Sequence, residues 1–114
     1  MKLQMDGNSL RLRLSQSEVN QFSKTGFVED SIQFAPGASF AFALESLSSL
    51  KAPQVLYTNN WLRIQVPGVD ATDWVMSDRA GISGDQALDS GKHLSISVEK
   101  DFQCDPLEAT AAQS

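Results

Sequence analysis

The chain has 114 residues, of which 41% are hydrophobic and 20% are charged, and these are the proportions of one globular domain. No run of about 18 apolar residues is present, which excludes a membrane-spanning helix, and the first residues lack the apolar core of a signal peptide. A net charge of −5 argues against a dedicated nucleic-acid-binding protein. With Cys104 as its one cysteine, the chain cannot form an internal disulfide, and we expect a cytoplasmic protein.

Alternation of apolar and polar residues predicts most of the chain to be strands. Over residues 9–14, leucines alternate with Arg11 and Arg13, which is the period-2 pattern of a half-buried strand. Similar patterns recur between turn residues, of which Pro36–Gly37 and Asn59–Asn60 predict two tight hairpins. The predicted strands, in chain order, cover residues 2–5, 9–14, 27–34, 39–46, 54–58, 61–66, 81–88 and 92–102.

Two helices interrupt the strands. Ser15 and Glu18 have the spacing of a capping box, which predicts a helix that runs to about residue 24 and ends at a glycine. Asp70 suits the N-cap of a second, shorter helix that ends near residue 78. Val69 and Trp74 then have the spacing of a hydrophobic staple across the start of that helix.

These elements predict an α+β fold in the order β-β-α-β-β-β-β-α-β-β. Because tight turns join most strands, we expect one twisted antiparallel sheet of seven to eight strands, which is open or barrel-like, with two short helices. The domain covers residues 1–105, and the small polar residues of 106–114 predict a disordered tail. No segment repeats another closely enough to indicate an internal repeat.

Three segments resemble a family of small uncharacterised bacterial proteins, a domain of unknown function. They are Gly7-Asn8-Ser9-Leu10-Arg11-Leu12-Arg13-Leu14, Gly26-Phe27-Val28-Glu29 and Val98-Glu99-Lys100-Asp101-Phe102-Gln103-Cys104. The family's pattern is an N-terminal Asn-Ser-Leu-Arg-Leu-Arg-Leu strand and a C-terminal Val-Glu-Lys-Asp-Phe segment. The resemblance implies a bacterial, cytoplasmic, single-domain protein, and it implies no activity and no catalytic residues.

Arginines on the predicted strands form a candidate anion site. Arg11 and Arg13 share one strand face about 6.5–7 Å apart, and two guanidinium groups at that spacing can hold a phosphate or carboxylate. Arg63 and Lys100 lie on other predicted strands and can join them. The alternative interpretation is a solvated sheet face, on which these cations pair with acids such as Glu29 or Glu45.

Trp61 is the candidate residue for a protein contact. It has the parity of the polar residues on its strand, and an exposed tryptophan there is suited to binding a partner protein or a second copy of the chain. The alternative is that Trp61 covers the second helix or packs under the connection at 47–53.

Catalytic and metal-binding patterns are weak. His93 is the one histidine, and the strand rise separates it from Glu99 by about 20 Å, so the two cannot share a metal ion. We therefore predict no cofactor and no metal, and favour a non-catalytic interaction protein over an enzyme. The alternative function is binding of a small anion, such as a nucleotide or phosphorylated metabolite. We expect neither a nucleic-acid nor a membrane partner.

Overall fold

The computed structural model describes residues 1–101, in which eight strands and two α-helices follow one another in the predicted order. The tail predicted at 106–114 and Cys104 lie outside the described residues. A short turn at Asp89–Gly91, in which Ser90 and Gly91 have positive φ, links the last two strands. The elements are β1 (Lys2–Asp6), β2 (Ser9–Leu14), α1 (Gln16–Thr25), β3 (Phe27–Ala35), β4 (Ala38–Leu47), β5 (Gln54–Thr58), β6 (Trp61–Pro67), α2 (Gly68–Met76), β7 (Gly81–Ala87) and β8 (His93–Lys100).

The strands form two mixed four-stranded sheets, so the prediction of one antiparallel sheet is wrong. Sheet A has the order β1-β2-β8-β7 and sheet B the order β3-β4-β6-β5. Each predicted hairpin forms, but β2 runs parallel to β8, and β4 runs parallel to β6. Turn chemistry fixes each hairpin locally, whereas the pairing of one hairpin with another is a long-range contact that no local pattern encodes.

The two sheets do not close into a barrel. Where the edge strands β5 and β7 approach each other, the Gln86 side chain takes the place of a main-chain ladder. Its Oε1 accepts from the Val55 amide at 2.6 Å, and its Nε2 donates to the Val55 carbonyl at 3.4 Å. A side-chain bridge of this kind satisfies edge groups of β5 while it leaves the two sheets separate.

The fold has an internal two-fold pseudo-symmetry, which corrects the expectation of no repeat. The first half (2–47) and the second half (54–100) are both ββαββ units, and each sheet combines the first hairpin of one half with the second hairpin of the other. The registers match: Arg13 faces Glu99 across β2 and β8, and Gln65 faces Glu45 across β6 and β4. Apolar alternation is common to both halves, and alternation is too general a pattern to reveal a repeat.

The helices pack together at one end of the two sheets. α1 follows β2 and α2 follows β6, so both lie beyond the carboxyl ends of the central strands, and the four hairpin turns lie at the opposite end. Phe22 of α1 meets Trp74 of α2 edge-to-face, with ring centroids 6.1 Å apart. These residues hold equivalent positions in the two halves, so their contact lies at the pseudo-two-fold axis. Both belong to one core that includes residues of both sheets.

The helix ends confirm one prediction and correct another. The capping box of α1 forms, with Ser15 and Glu18 bonded in both directions, and Gly26 ends the helix in the left-handed conformation. α2 instead begins two residues before Asp70, and its N-cap Pro67 makes no side-chain bond. Proline suits a helix start because its φ is already fixed. The predicted staple is wrong, since Val69 is 82% exposed.

Candidate functional site

Arg11 and Arg13 lie together on the outer face of sheet A. The leucines that alternate with them are buried in the core, so both arginines point towards solvent. Both approach Glu99 of the neighbouring strand, with Nε of Arg11 and Arg13 at 3.4 and 3.3 Å from its carboxylate oxygens. Ser97 also donates to that carboxylate. Two guanidinium groups therefore share one acid, and one positive charge of this cluster stays uncompensated within it.

Arg63 lies on sheet B and does not join Arg11 and Arg13. Its guanidinium makes two bonds to Glu45, at 3.0 and 3.3 Å. Gln65, which is 3% exposed, donates to the same carboxylate at 2.8 Å and accepts from Gln54 at 2.6 Å. This cluster is the pseudo-symmetric counterpart of the one on sheet A, and the pairing of Arg63 with Glu45 follows the alternative interpretation of the sequence.

Lys100 lies at the helix end of β8, apart from the arginines. Its Nζ donates to the Ser77 carbonyl at the end of α2, at 2.8 Å, and stands 5.8 Å from the centroid of the Trp74 ring. Only Arg11 and Arg13, of the four predicted ligand-binding residues, therefore share one cluster. Their role in binding stays a prediction.

Trp61 is half-buried on the outer face of sheet B. The Arg63 guanidinium lies 4.8 Å from the centroid of its ring, which is a cation–π contact. The indole Nε1 is buried and has no hydrogen-bond partner among residues 1–101. Trp61 therefore presents less free surface than an exposed contact residue would, and its interaction role stays a prediction.

The β3–β4 hairpin forms as predicted, but its projection beyond sheet B was not predicted. β4 pairs with β6 only from Ala41 onwards, so residues 32–40 of the β3–β4 hairpin, here called the arm, pair only with one another. Ile32 and Phe34 are 51% and 71% exposed. The Phe40 ring stacks on that of Phe42. The centroids of the Phe40 and Tyr57 rings are 6.3 Å apart, and Tyr57 is 56% exposed. The length of β4, ten residues against seven in its neighbour β6, was the available signal, but a strand's length does not reveal whether a neighbouring strand pairs along all of it.

Glu18 ties the start of the chain to α1. Its carboxylate accepts from the Met1 ammonium and, at 2.8 Å, from the Ser15 amide. Partial burial by itself would raise the pKa of Glu18, but the hydrogen bonds from Met1 and Ser15 outweigh it and hold that pKa below the ordinary value of 4.5. The folded state therefore favours the ionised carboxylate.

This shift predicts part of the acid sensitivity of the fold. Glu18 contributes stability that is fully present above its unfolded pKa and is lost as the pH falls through the lower folded value. We expect the unfolding free energy of Glu18→Gln to depend less on pH than that of the native chain below about pH 4.5. Urea titrations between neutral and acidic pH measure this. Glu29→Gln, which removes an exposed carboxylate from β3, should keep the native pH dependence, and equal slopes for both variants would contradict the assignment.

Two further features are absent from the described part of the chain. Among residues 1–101, no three His, Cys, Asp or Glu side chains are grouped as a metal site would require. In the same part of the chain, no helix has the length and apolar character needed to cross a bilayer.

The fold and these surfaces define a small α+β domain of two mixed sheets with an internal pseudo-two-fold axis. Its family model is DUF7009, a family of unknown function, which matches residues 1–113, and the chain belongs to this family. No curated protein matches the chain, and no solved structure matches it. The family assignment agrees with the resemblance to an uncharacterised family and transfers no activity to any residue.

Proposed function

We propose that the protein is a non-catalytic interaction module that binds a second copy of itself through the arm. The observation that carries the proposal is the exposure of Ile32 and Phe34 on a two-stranded projection. An isolated two-stranded hairpin is marginally stable in water, so a third strand against the arm would both cover apolar side chains and stabilise the arm itself.

The free edge of β3 favours strand pairing as the mode of contact. β3 is an edge strand of sheet B, so one side of its backbone can accept another strand. Lysine, proline and β-bulges are among the features that protect an edge strand from association. The segment 31–35, Ser-Ile-Gln-Phe-Ala, carries neither lysine nor proline, and its register against β4 shifts between Gln33 and Ala35.

Charge placement favours a second copy as the partner. Residues 31–35 are uncharged, whereas Glu29 and Asp30 lie nearer the body of the domain. Two copies can therefore pair antiparallel over 31–35 without bringing like charges opposite each other. Such a contact is isologous, with the same surface used on both copies.

Sedimentation velocity tests this proposal. We expect the native chain to form a dimer that dissociates on dilution within about 1–100 µM. Ile32→Lys places a charge on the free edge and should leave a folded monomer at the same concentrations. Val69→Ser is the matched control, because Val69 is an exposed apolar residue on α2 at the other end of the domain, and it should keep the dimer. A native chain that stays monomeric, or an Ile32→Lys variant that dimerises normally, would contradict the proposal.

A small anion bound by Arg11 and Arg13 is the second candidate function. Their shared contact with Glu99 leaves one positive charge uncompensated in the cluster, which supports it. We expect pyrophosphate, at a concentration well above its Kd, to raise the melting temperature of the native chain by a few degrees. The same anion should have no effect on Arg11→Ala combined with Arg13→Ala. A Lys92→Ala control should respond like the native chain, and an equal response from the double variant would exclude the site.

The proposal includes a bacterial, cytoplasmic setting. The resemblance of the N-terminal and C-terminal segments to a bacterial family supports the first part, and the single cysteine supports the second.

A further inference from the structure

The pseudo-two-fold axis creates two equivalent grooves beside the helix pair. One is lined by Phe22, Ser23, Gly26, Ser46 and Ala71, with further residues of α2, and is here called the Ser46 groove. The other, here called the Lys100 groove, is lined by Val19, Val75, Ser77, Lys100 and their neighbours.

Hydrogen bonds place Ser46 and Lys100 at equivalent positions. The Ser46 amide donates to the Gly26 carbonyl after α1, and the Lys100 amide donates to the Ala80 carbonyl after α2. Both residues directly follow the equivalent acids Glu45 and Glu99. The two grooves are therefore the same site in the two halves, lined by different side chains.

The helix ends bordering the grooves are equivalent too. Thr25 Oγ1 donates to the Gln21 carbonyl in α1, and Ser77 Oγ donates to the Asp73 carbonyl after α2. The Thr25 carbonyl of the first half is thus the counterpart of the Ser77 carbonyl of the second.

Lys100 lines its own groove, where a cavity of about 370 Å³ remains, and directs its ammonium group at the end of α2. The ammonium group donates to the Ser77 carbonyl at 2.8 Å, and its Nζ lies 5.8 Å from the centroid of the Trp74 ring. Both contacts favour a cation, because carbonyls at a helix C-terminus carry partial negative charge and an aromatic face is also negative.

The Ser46 groove is bordered by the equivalent elements, but it lacks the lysine, and none of its lining residues is an acid, whereas Asp78 lines the Lys100 groove. Its aromatic wall is Phe22, the counterpart of Trp74, and the short side chain of Ser46 leaves a cavity of about 240 Å³. Gly26 and Gly68 flank Ser46, and a Cβ at either position would contact it, at 3.8 and 3.6 Å.

We propose that the Ser46 groove binds a primary alkylammonium group, held against the Phe22 ring and the C-terminal carbonyl of α1, at the position that Lys100 occupies in the other half. The ligand is either a free alkylamine or the side chain of a lysine on a partner protein. This site lies at the helix end, away from the arm, so its test is independent of the dimer.

An NMR titration of the native chain with n-butylammonium tests the site, and 1-butanol is the uncharged control. We expect millimolar affinity for so small a ligand, with amide shifts at Gly26, Ser46 and Ala71 that butanol does not reproduce. Equal shifts with butanol, or shifts confined to other residues, would overturn the proposal. Nα-acetyl-lysine methylamide, compared with the norleucine analogue, then distinguishes the sources. Binding as strong as that of butylammonium points to a lysine side chain, and weaker binding points to a free amine.

Exchanging the two groove residues gives a second, reciprocal test. Ser46→Lys should fill the groove internally, raise the melting temperature and abolish the butylammonium shifts. Lys100→Ser should lower the melting temperature, and butylammonium should restore part of the loss by entering the emptied groove. Lys92→Ser is the control, and butylammonium should not change its melting temperature. A folded Ser46→Lys variant that still binds butylammonium would overturn the proposal. If Ser46→Lys does not fold, the Lys100→Ser variant decides. The proposal is then overturned if butylammonium does not raise the melting temperature of Lys100→Ser.

Discussion

Replacing Trp74 with alanine is expected to lower the free energy of unfolding by about 3–5 kcal/mol. Trp74 is 0% exposed, packs edge-to-face on Phe22, and its indole N–H donates to the Ala80 carbonyl at 3.2 Å. The substitution opens a cavity at the pseudo-two-fold axis, where the two helices meet. Because a domain's total stability is about 5–15 kcal/mol, the loss removes a large share of it.

Urea unfolding followed by circular dichroism measures this effect without relying on tryptophan fluorescence. Met76→Ala is the matched control on the same helix, because Met76 is 77% exposed, and it should change stability by no more than about 0.5 kcal/mol. Trp74→Phe keeps an aromatic ring and loses the indole hydrogen bond, so it should fall between the two. Equal unfolding free energies for Trp74→Ala and Met76→Ala would show that the contact between Phe22 and Trp74 does not stabilise the packing of the two helices.

Glu45→Ala should destabilise the fold more than Glu99→Ala, although the two acids hold equivalent positions. The Glu45 side chain is 16% exposed and that of Glu99 is 31% exposed. Removing Glu45 leaves the buried Gln65 amide without its acceptor, and an unsatisfied buried polar group costs about 1–3 kcal/mol. Removing Glu99 breaks exposed ion pairs, which are worth about 0–1 kcal/mol.

The same urea measurement, made on both variants, tests the difference. Glu45→Gln keeps an acceptor oxygen near Gln65 and should recover part of the loss. Raising the salt concentration should reduce the small effect of Glu99→Ala more than that of Glu45→Ala, because exposed charges are screened more strongly than buried ones. Equal destabilisation by the two alanine substitutions would show that burial does not distinguish the two clusters.

The candidate site was predictable where one strand or one turn carries the information. Alternation placed Arg11 and Arg13 on one face, and the structure brings both to Glu99. Arg63 was grouped with them only because its strand had the same alternation. It lies on the other sheet, since the choice of sheet depends on which hairpins pair across the molecule.

Surface properties depended on contacts that no short pattern contains. Trp61 shares the parity of exposed residues, yet the Arg63 guanidinium lies on its ring. Ile32 and Phe34 read as ordinary strand residues, yet they lie on the part of the β3–β4 hairpin that extends beyond the pairing of β4 with β6, and they are exposed. Exposure is decided by which neighbour is present, and the sequence of one strand does not contain its neighbour.

Local sequence patterns account for the strands and helices of this protein. The capping box at Ser15 and Glu18 formed, and Asn59 and Asn60 took the positive φ values of 53° and 61° that their turn requires. Steric and hydrogen-bonding preferences within a few residues decide such features. Local patterns do not show that hairpins from opposite halves share a sheet, that Phe22 meets Trp74 at an axis, or that Ser46 and Lys100 are counterparts. These arrangements follow from burying one common core, which depends on contacts between residues far apart in the chain.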